Sequence, residues 1–201
     1  MSLTATIDFD RLAVYLLADL SGSMKSEKRL QNAQEIGMML ATEMAEIDDD
    51  GKIHFVTFGG RVKEIGPSTP DEIQKYFDTA KPLGSTPMGE AINVIQDDII
   101  QRLTGLEAAH QLVVIITDGE PDKQSEVVNS IIEISKHITH DSQIAILFIQ
   151  VGSDETARKY LETLDDGIAK YTNGFDIVDT MHFTDAAKLT ARELILHAFS
   201  D

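Results

Sequence analysis

The chain has no cysteine, which excludes disulfides, thiolate catalysis and any thiolate metal cluster. Long apolar runs are missing too. None approaches the roughly 20 residues that a membrane-spanning helix needs, and no secretory leader is visible. The Asn-x-Ser/Thr acceptor pattern does not occur. These omissions together predict a cytoplasmic protein without a membrane span. Basic residues are scarce: 17 Lys and Arg stand against 34 Asp and Glu, for a formal net charge of -17. Such a field repels a phosphate backbone, so nucleic acid is not an expected partner, while divalent cations are attracted. Most of the acids serve solubility. Neither Gly-x-x-x-x-Gly-Lys-Ser/Thr nor Gly-x-Gly-x-x-Gly occurs, which removes the common nucleotide cradles. There is no Gly-x-Ser-x-Gly elbow of a serine hydrolase.

No Pro/Gly/Ser-rich linker, charge block or repeat divides the 201 residues. We therefore expect an N-terminal lead over 1–10, flexible over its first five residues, and a single domain over 11–201. Apolar runs over 11–19, 112–116 and 144–151 read as strands buried on both faces. A looser run over 53–58, Gly59-Gly60 and a return over 62–65 read as a hairpin. Helices are expected over 28–47, 70–77, from Pro87 onward, over 126–136 and over 154–164. Their apolar stripes include Ala33, Ile36, Leu40, Met44 and Ile47, then Ile92, Ile95, Ile99 and Leu103, then Val127, Ile131, Ile134 and Ile138. Asp154 is the expected N-cap of the fifth, and Asp165-Asp166-Gly167 its exit. After an irregular segment to Gly174, a short strand starts at Ile177. A last helix over 185–199 is expected, capped by Asp185, with Ala187, Ala191, Leu194 and Ala198 inward. Alternating strands and helices imply right-handed crossovers and a doubly wound, mainly parallel α/β sheet of six strands, with one antiparallel edge strand and helices on both faces.

In that frame three segments carry chemistry. Asp19-Leu20-Ser21-Gly22-Ser23 follows the first strand, and its alternate Asp, Ser and Ser can converge their oxygens on one point suited to a hard cation. Gly84-Ser85-Thr86-Pro87 offers a third hydroxyl just before a helix. Thr117-Asp118-Gly119-Glu120-Pro121 follows a second apolar strand and offers a second carboxylate. The succession Asp-x-Ser-x-Ser, Thr, Asp resembles the metal-ion-dependent adhesion site of von Willebrand factor A domains, such as integrin inserted domains and stand-alone intracellular bacterial domains. The likeness spans nearly the whole chain.

The resemblance implies the strand order 3-2-1-4-5-6, which places the motif where strand order reverses, between the strands ending at Asp19 and Asp118. It implies Mg²⁺ or Mn²⁺ held by Asp19, Ser21, Ser23, Thr86 and Asp118. Ser21 and Ser23 would bind directly and Asp19 through water, while Thr86 and Asp118 exchange direct and water-mediated contact between states. A partner protein's Asp or Glu would then complete the coordination. The implied work is adhesion or assembly, not catalysis, with an AAA-type ATPase or a stress-cluster protein as the partner class. Sliding of the last helix would couple the site to distant surfaces. Two departures stand out: Gly84-Ser85 where Gly-Gly is commoner, and the segment 165–174.

Two alternatives come from other classes. Asp19 after an apolar strand fits the nucleophile of a Mg²⁺-dependent, haloacid-dehalogenase-like phosphatase, but that chemistry needs a second Asp where Ser21 stands. The other is a structural domain whose ion meets no partner. The remaining polar clusters are assigned no role. Asp48-Asp49-Asp50-Gly51 lacks the later ligands of a calcium loop and reads as a helix exit. His137 and His140 can share a helix face, yet no zinc motif surrounds them.

Overall fold

The buried apolar runs form the centre of a six-stranded sheet in the order β3-β2-β1-β4-β5-β6, as the sequence resemblance implied. The computed structural model describes residues 7–26, 28–47, 51–105 and 110–200. The strands are β1 (Leu12–Asp19), β2 (Ile53–Gly59), β3 (Arg61–Ser68), β4 (His110–Thr117), β5 (Ile144–Gln150) and β6 (Val178–His182). Only β3 runs antiparallel, on the outer side of β2, and the other pairings are parallel. A register shift between Phe55 and Val56 sits opposite Gly66, whose φ of +83° suits a bulge.

Alternation along β1 explains how one run feeds two cores. Val14, Leu16 and Ala18 face one side, with α1 (Arg29–Ile47), α2 (Pro70–Thr79) and α7 (Ala191–Ala198). Tyr15 and Leu17 face the other, under α3 (Met88–Thr104), α4 (Gln124–Ser135) and α5 (Glu155–Ile168). A strand covered on both faces must be apolar at every position, hence the continuous runs. The expected stripes of α1, α3 and α4 face inward, with Ile47 and Leu103 only partly buried at the ends. Met38 and Met39 are partly buried against the first core.

Several boundaries differ from expectation. α5 does not exit at Asp165-Asp166-Gly167 but continues to Ile168, because Leu161, Leu164 and Ile168 keep one buried stripe and packing outweighs the helix cost of a single Gly. Asp154 does cap this helix, accepting from the Thr156 and Ala157 amides. The expected helix over 185–199 is two pieces, α6 (Phe183–Ala186) and α7. Thr190 and Glu193 form a capping box that starts α7 afresh, and His182, not Asp185, caps α6. Ala187 is accordingly exposed, and Ala186 takes the buried place beside Ala191, Leu194 and Ala198. His137 lies past the end of α4 and His140 precedes a 3-10 turn, so they share no helix face. The expected flexible lead over residues 1–5 and the acidic run 48–50 lie outside the described residues. Phe9–Arg11 is a 3-10 turn, and Ile7 and Phe9 pack on the domain.

Candidate metal centre

Parallel strands end together, so the turns after β1 and β4 share one edge of the sheet, where adjacent crossovers leave in opposite directions. Asp19 is the last residue of β1 and is fully buried. Its Oδ1 accepts from the Ser21 amide at 2.7 Å and its Oδ2 from the Thr117 hydroxyl at 2.6 Å. Burial pushes its carboxyl up to about 6, against the hydrogen bonds from Thr117 and Ser21 that pull it down, and the nearby Asp118 charge adds to the rise. Asp118, just beyond β4, is buried as well. Its Oδ1 accepts from the Ser23 hydroxyl at 2.8 Å and its Oδ2 from Nη1 of Arg29, with which it forms an ion pair. The Ser21 and Ser23 hydroxyl oxygens lie 3.0 Å apart. Since the Ser23 proton is directed at Asp118, Ser21 is the donor between them.

Four of the five residues singled out in the sequence therefore form one hydrogen-bonded group. Thr86 sits on the adjacent loop. Its amide donates to Asp122 Oδ1 at 2.9 Å, while its carbonyl accepts from the Asp122 amide at 2.9 Å and the Met88 amide at 2.8 Å. Its hydroxyl makes no hydrogen bond to a described residue. Backbone bonds fix this loop against the first: Leu83 N–H to Leu20 O at 2.8 Å, Gly22 N–H to Gly84 O at 3.0 Å, and Gly60 N–H to Ser85 O at 2.8 Å. A Cβ on Gly59 would lie 2.3 Å from Leu20 O, and one on Gly84, whose φ is +87°, 2.5 Å from Gly60 Cα. Glycine is required at both because three backbones meet there.

Sequence reasoning missed the supporting residues. Thr117 stands inside a quoted motif, yet its bond to Asp19 depends on β1 and β4 being neighbours. Arg29 carries no local signal at all. Gly59 and Gly60 read as a hairpin turn, whereas the structure also packs them against Leu20 and the Gly84 to Ser85 backbone. The candidate donor set is two carboxylates and three hydroxyls. Among the described residues no group of three His, Asp or Glu side chains is arranged for a metal, so this is not an all-carboxylate cage. Hard hydroxyl and carboxylate oxygens suit Mg²⁺ or Mn²⁺, and a fully buried carboxylate with a raised pKa is a group whose charge a cation would stabilise. The residues present fit such an ion.

A family model described as vWA-TerF-like, the vWA found in the TerF C terminus, matches residues 11–197. The chain belongs to the vWA-TerF-like family. Thrombospondin-related anonymous protein of Plasmodium falciparum is 27% identical to this vWA-TerF-like chain over 162 residues. That alignment takes in 76% of the chain but 28% of the relative, so the chain spans only a minor part of that protein's length. Among solved structures, manganese-loaded TRAP protein of Plasmodium vivax superposes with a TM-score of 0.65 at 16% identity, covering 90% of this chain and 72% of that one. An aerotolerance-related membrane protein from Bacteroides fragilis gives 0.63 at 21% identity, covering 94% and 98%. At these identities the superpositions speak for the fold. No helix among the described residues is long and apolar enough to cross a membrane.

Proposed function

We propose that this vWA-TerF-like domain is a metal-dependent protein-binding module. Asp19, Ser21, Ser23, Thr86 and Asp118 would hold a Mg²⁺ or Mn²⁺ ion. When bound, the ion supplies a positive centre at the protein surface with a coordination position open to a carboxylate. The observation that carries the reading is two buried carboxylates, one with a raised pKa, joined to two facing hydroxyls where strand order reverses. Because the hydroxyls add no charge and Asp118 shares its charge with Arg29, the ion would keep more electrophilic character than in an all-carboxylate cage and could attract a further anion. The manganese carried by the Plasmodium vivax structure supports a divalent ion at this fold. The natural ligand is an Asp or Glu of a partner protein. We place that partner among AAA-type ATPases or stress-cluster proteins on the strength of the sequence resemblance, and the domain in the cytoplasm on the strength of its composition, which has no cysteine and no Asn-x-Ser/Thr acceptor.

The phosphatase alternative fares worse on geometry. Both Asp19 oxygens accept hydrogen bonds inside the protein and the side chain is buried, so it is not presented as a nucleophile. The test is capture of binding proteins in Mg²⁺ and in chelator by wild type and Thr86→Ala, alongside phosphate release from generic esters. The reading expects proteins retained by wild type in Mg²⁺ alone, and no ester hydrolysis above background. Identical retention in every arm would leave an ion site without a partner, and Mg²⁺-dependent hydrolysis lost in Asp19→Ala would establish the enzyme instead.

A further inference from the structure

Beside the metal loops lies a cleft of about 390 Å³, lined by Leu20 and Leu83 from those loops and by the edge of the sheet at β3. Its floor is polar. Thr57 is buried, and its hydroxyl oxygen is 3.1 Å from the Tyr76 hydroxyl. Its walls are cationic: Arg61 and Lys63 alternate on β3 and so project to one side, and Lys81 comes from the segment after α2. Lys63 Nζ stands 4.9 Å from the centroid of the Tyr76 ring, a cation-π contact that holds the ammonium over the cleft. Among the described residues, none of the three cations is in an ion pair. In a chain with a net charge of -17, acidic neighbours are plentiful. Three cations left facing one concave surface therefore mark a place where an anion is wanted.

We infer that this cleft is a specificity subsite for an acidic segment of the partner protein, contiguous with the residue that reaches the metal centre. Leu20 lies between Asp19 and Ser21 and also lines the cleft, so a chain leaving the metal loops passes directly into it. Leu83, 70% exposed, stands at the junction as an apolar contact for the intervening residue. The overall negative field opposes acidic partners at long range, and only a local positive surface admits one. Register follows: the partner is read by one carboxylate at the metal and by further carboxylates against Arg61, Lys63 and Lys81. The inference rests in part on the metal reading, and its test separates the two.

The probe is a capped hexaglutamate peptide, titrated into labelled protein and followed by amide chemical shifts, with hexaglutamine as the neutral control. Shifts are expected over residues 57–63 and 76–83, weakening as salt rises. Combined Arg61→Glu, Lys63→Glu and Lys81→Glu substitution is expected to weaken binding at least about tenfold, with Mg²⁺ affinity by calorimetry unchanged. All three side chains are exposed, so the fold tolerates the change. Binding that persists in chelator yet fails in the triple variant upholds the cleft and removes the metal carboxylate from it. Unchanged binding by the triple variant, equal shifts with hexaglutamine, or a sulfated oligosaccharide binding more tightly than hexaglutamate would overturn the inference.

Discussion

Asp19→Asn should stabilise the protein in chelator and destabilise it, relative to wild type, in Mg²⁺. The carboxyl is out of water and its pKa is pushed up to about 6 from an ordinary 3.8. A carboxyl raised in the folded state contributes stability that is fully present below the unfolded value and is lost as pH rises through the folded one. At about pH 7.5 that loss is complete. Each unit is worth about 1.36 kcal/mol, so the ionised side chain withholds about 3 kcal/mol. Asparagine carries no charge to desolvate. Its carbonyl can still accept from the Ser21 amide, and its amide can donate to Thr117, whose hydroxyl already lies 3.3 Å from the Gly119 carbonyl. Allowing about 1 kcal/mol for poorer hydrogen bonds, the variant gains about 2 kcal/mol, or about 4 to 8 °C in Tm for a chain of this size. Mg²⁺ at a hundredfold excess over its Kd would stabilise wild type by about 2.7 kcal/mol and reverse the order. The assay is urea denaturation across about pH 4 to 8, in chelator and in Mg²⁺, with the difference shrinking as pH falls towards the unfolded value. A variant less stable in chelator at every pH would refute the reasoning.

Three further outcomes follow from the same geometry. Gly84→Ala places a Cβ 2.5 Å from Gly60 Cα at a φ of +87°; it should cost about 2 to 4 kcal/mol in urea denaturation and weaken Mn²⁺ binding by moving Thr86, and an unchanged affinity would separate the two loops functionally. Arg29→Met removes the cation paired with Asp118, so metal-free stability should fall by about 3 kcal/mol while Mn²⁺ affinity rises, both measurable by calorimetry; a lower Mn²⁺ affinity would show that Arg29 assists the site and does not compete with the ion. Thr117→Val deletes the 2.6 Å bond to Asp19, which holds the raised carboxyl down, and should lower stability near neutral pH in chelator by about 1 to 3 kcal/mol, with the loss of stability that accompanies ionisation of Asp19 on raising pH moved to higher pH; an unmoved loss would remove Asp19 as its source.

What the sequence made legible was set by burial. Strands covered on both faces are apolar throughout, so β1, β4 and β5 announce themselves, and the turns that follow them carry the polar motif residues where the eye can find them. The capping box at Thr190 and Glu193 was equally present as Thr-x-x-Glu, but the run of inward Ala residues masked the break it makes between α6 and α7. Asp165-Asp166-Gly167 carries the residues of an exit, and only the buried partners of Leu164 and Ile168 show why the helix goes on. Arg29 and Thr117 were opaque for a different reason. Each acts across 89 and 98 residues of chain, and such contacts exist only once the sheet order is known. The cationic cleft was opaque likewise, since Arg61 and Lys63 meet Lys81 only when β3 folds beside α2.

The central claim is that Asp19, Ser21, Ser23, Thr86 and Asp118 hold one divalent ion, and the most direct measurement is a Mn²⁺ titration read by the paramagnetic resonance of the free ion. The account predicts one site per chain, displaced by Mg²⁺ and weakened at least about tenfold by Ser21→Ala, Ser23→Ala or Thr86→Ala, each of which loses an oxygen ligand without adding charge. Absence of binding, or binding that survives all three substitutions, would contradict it.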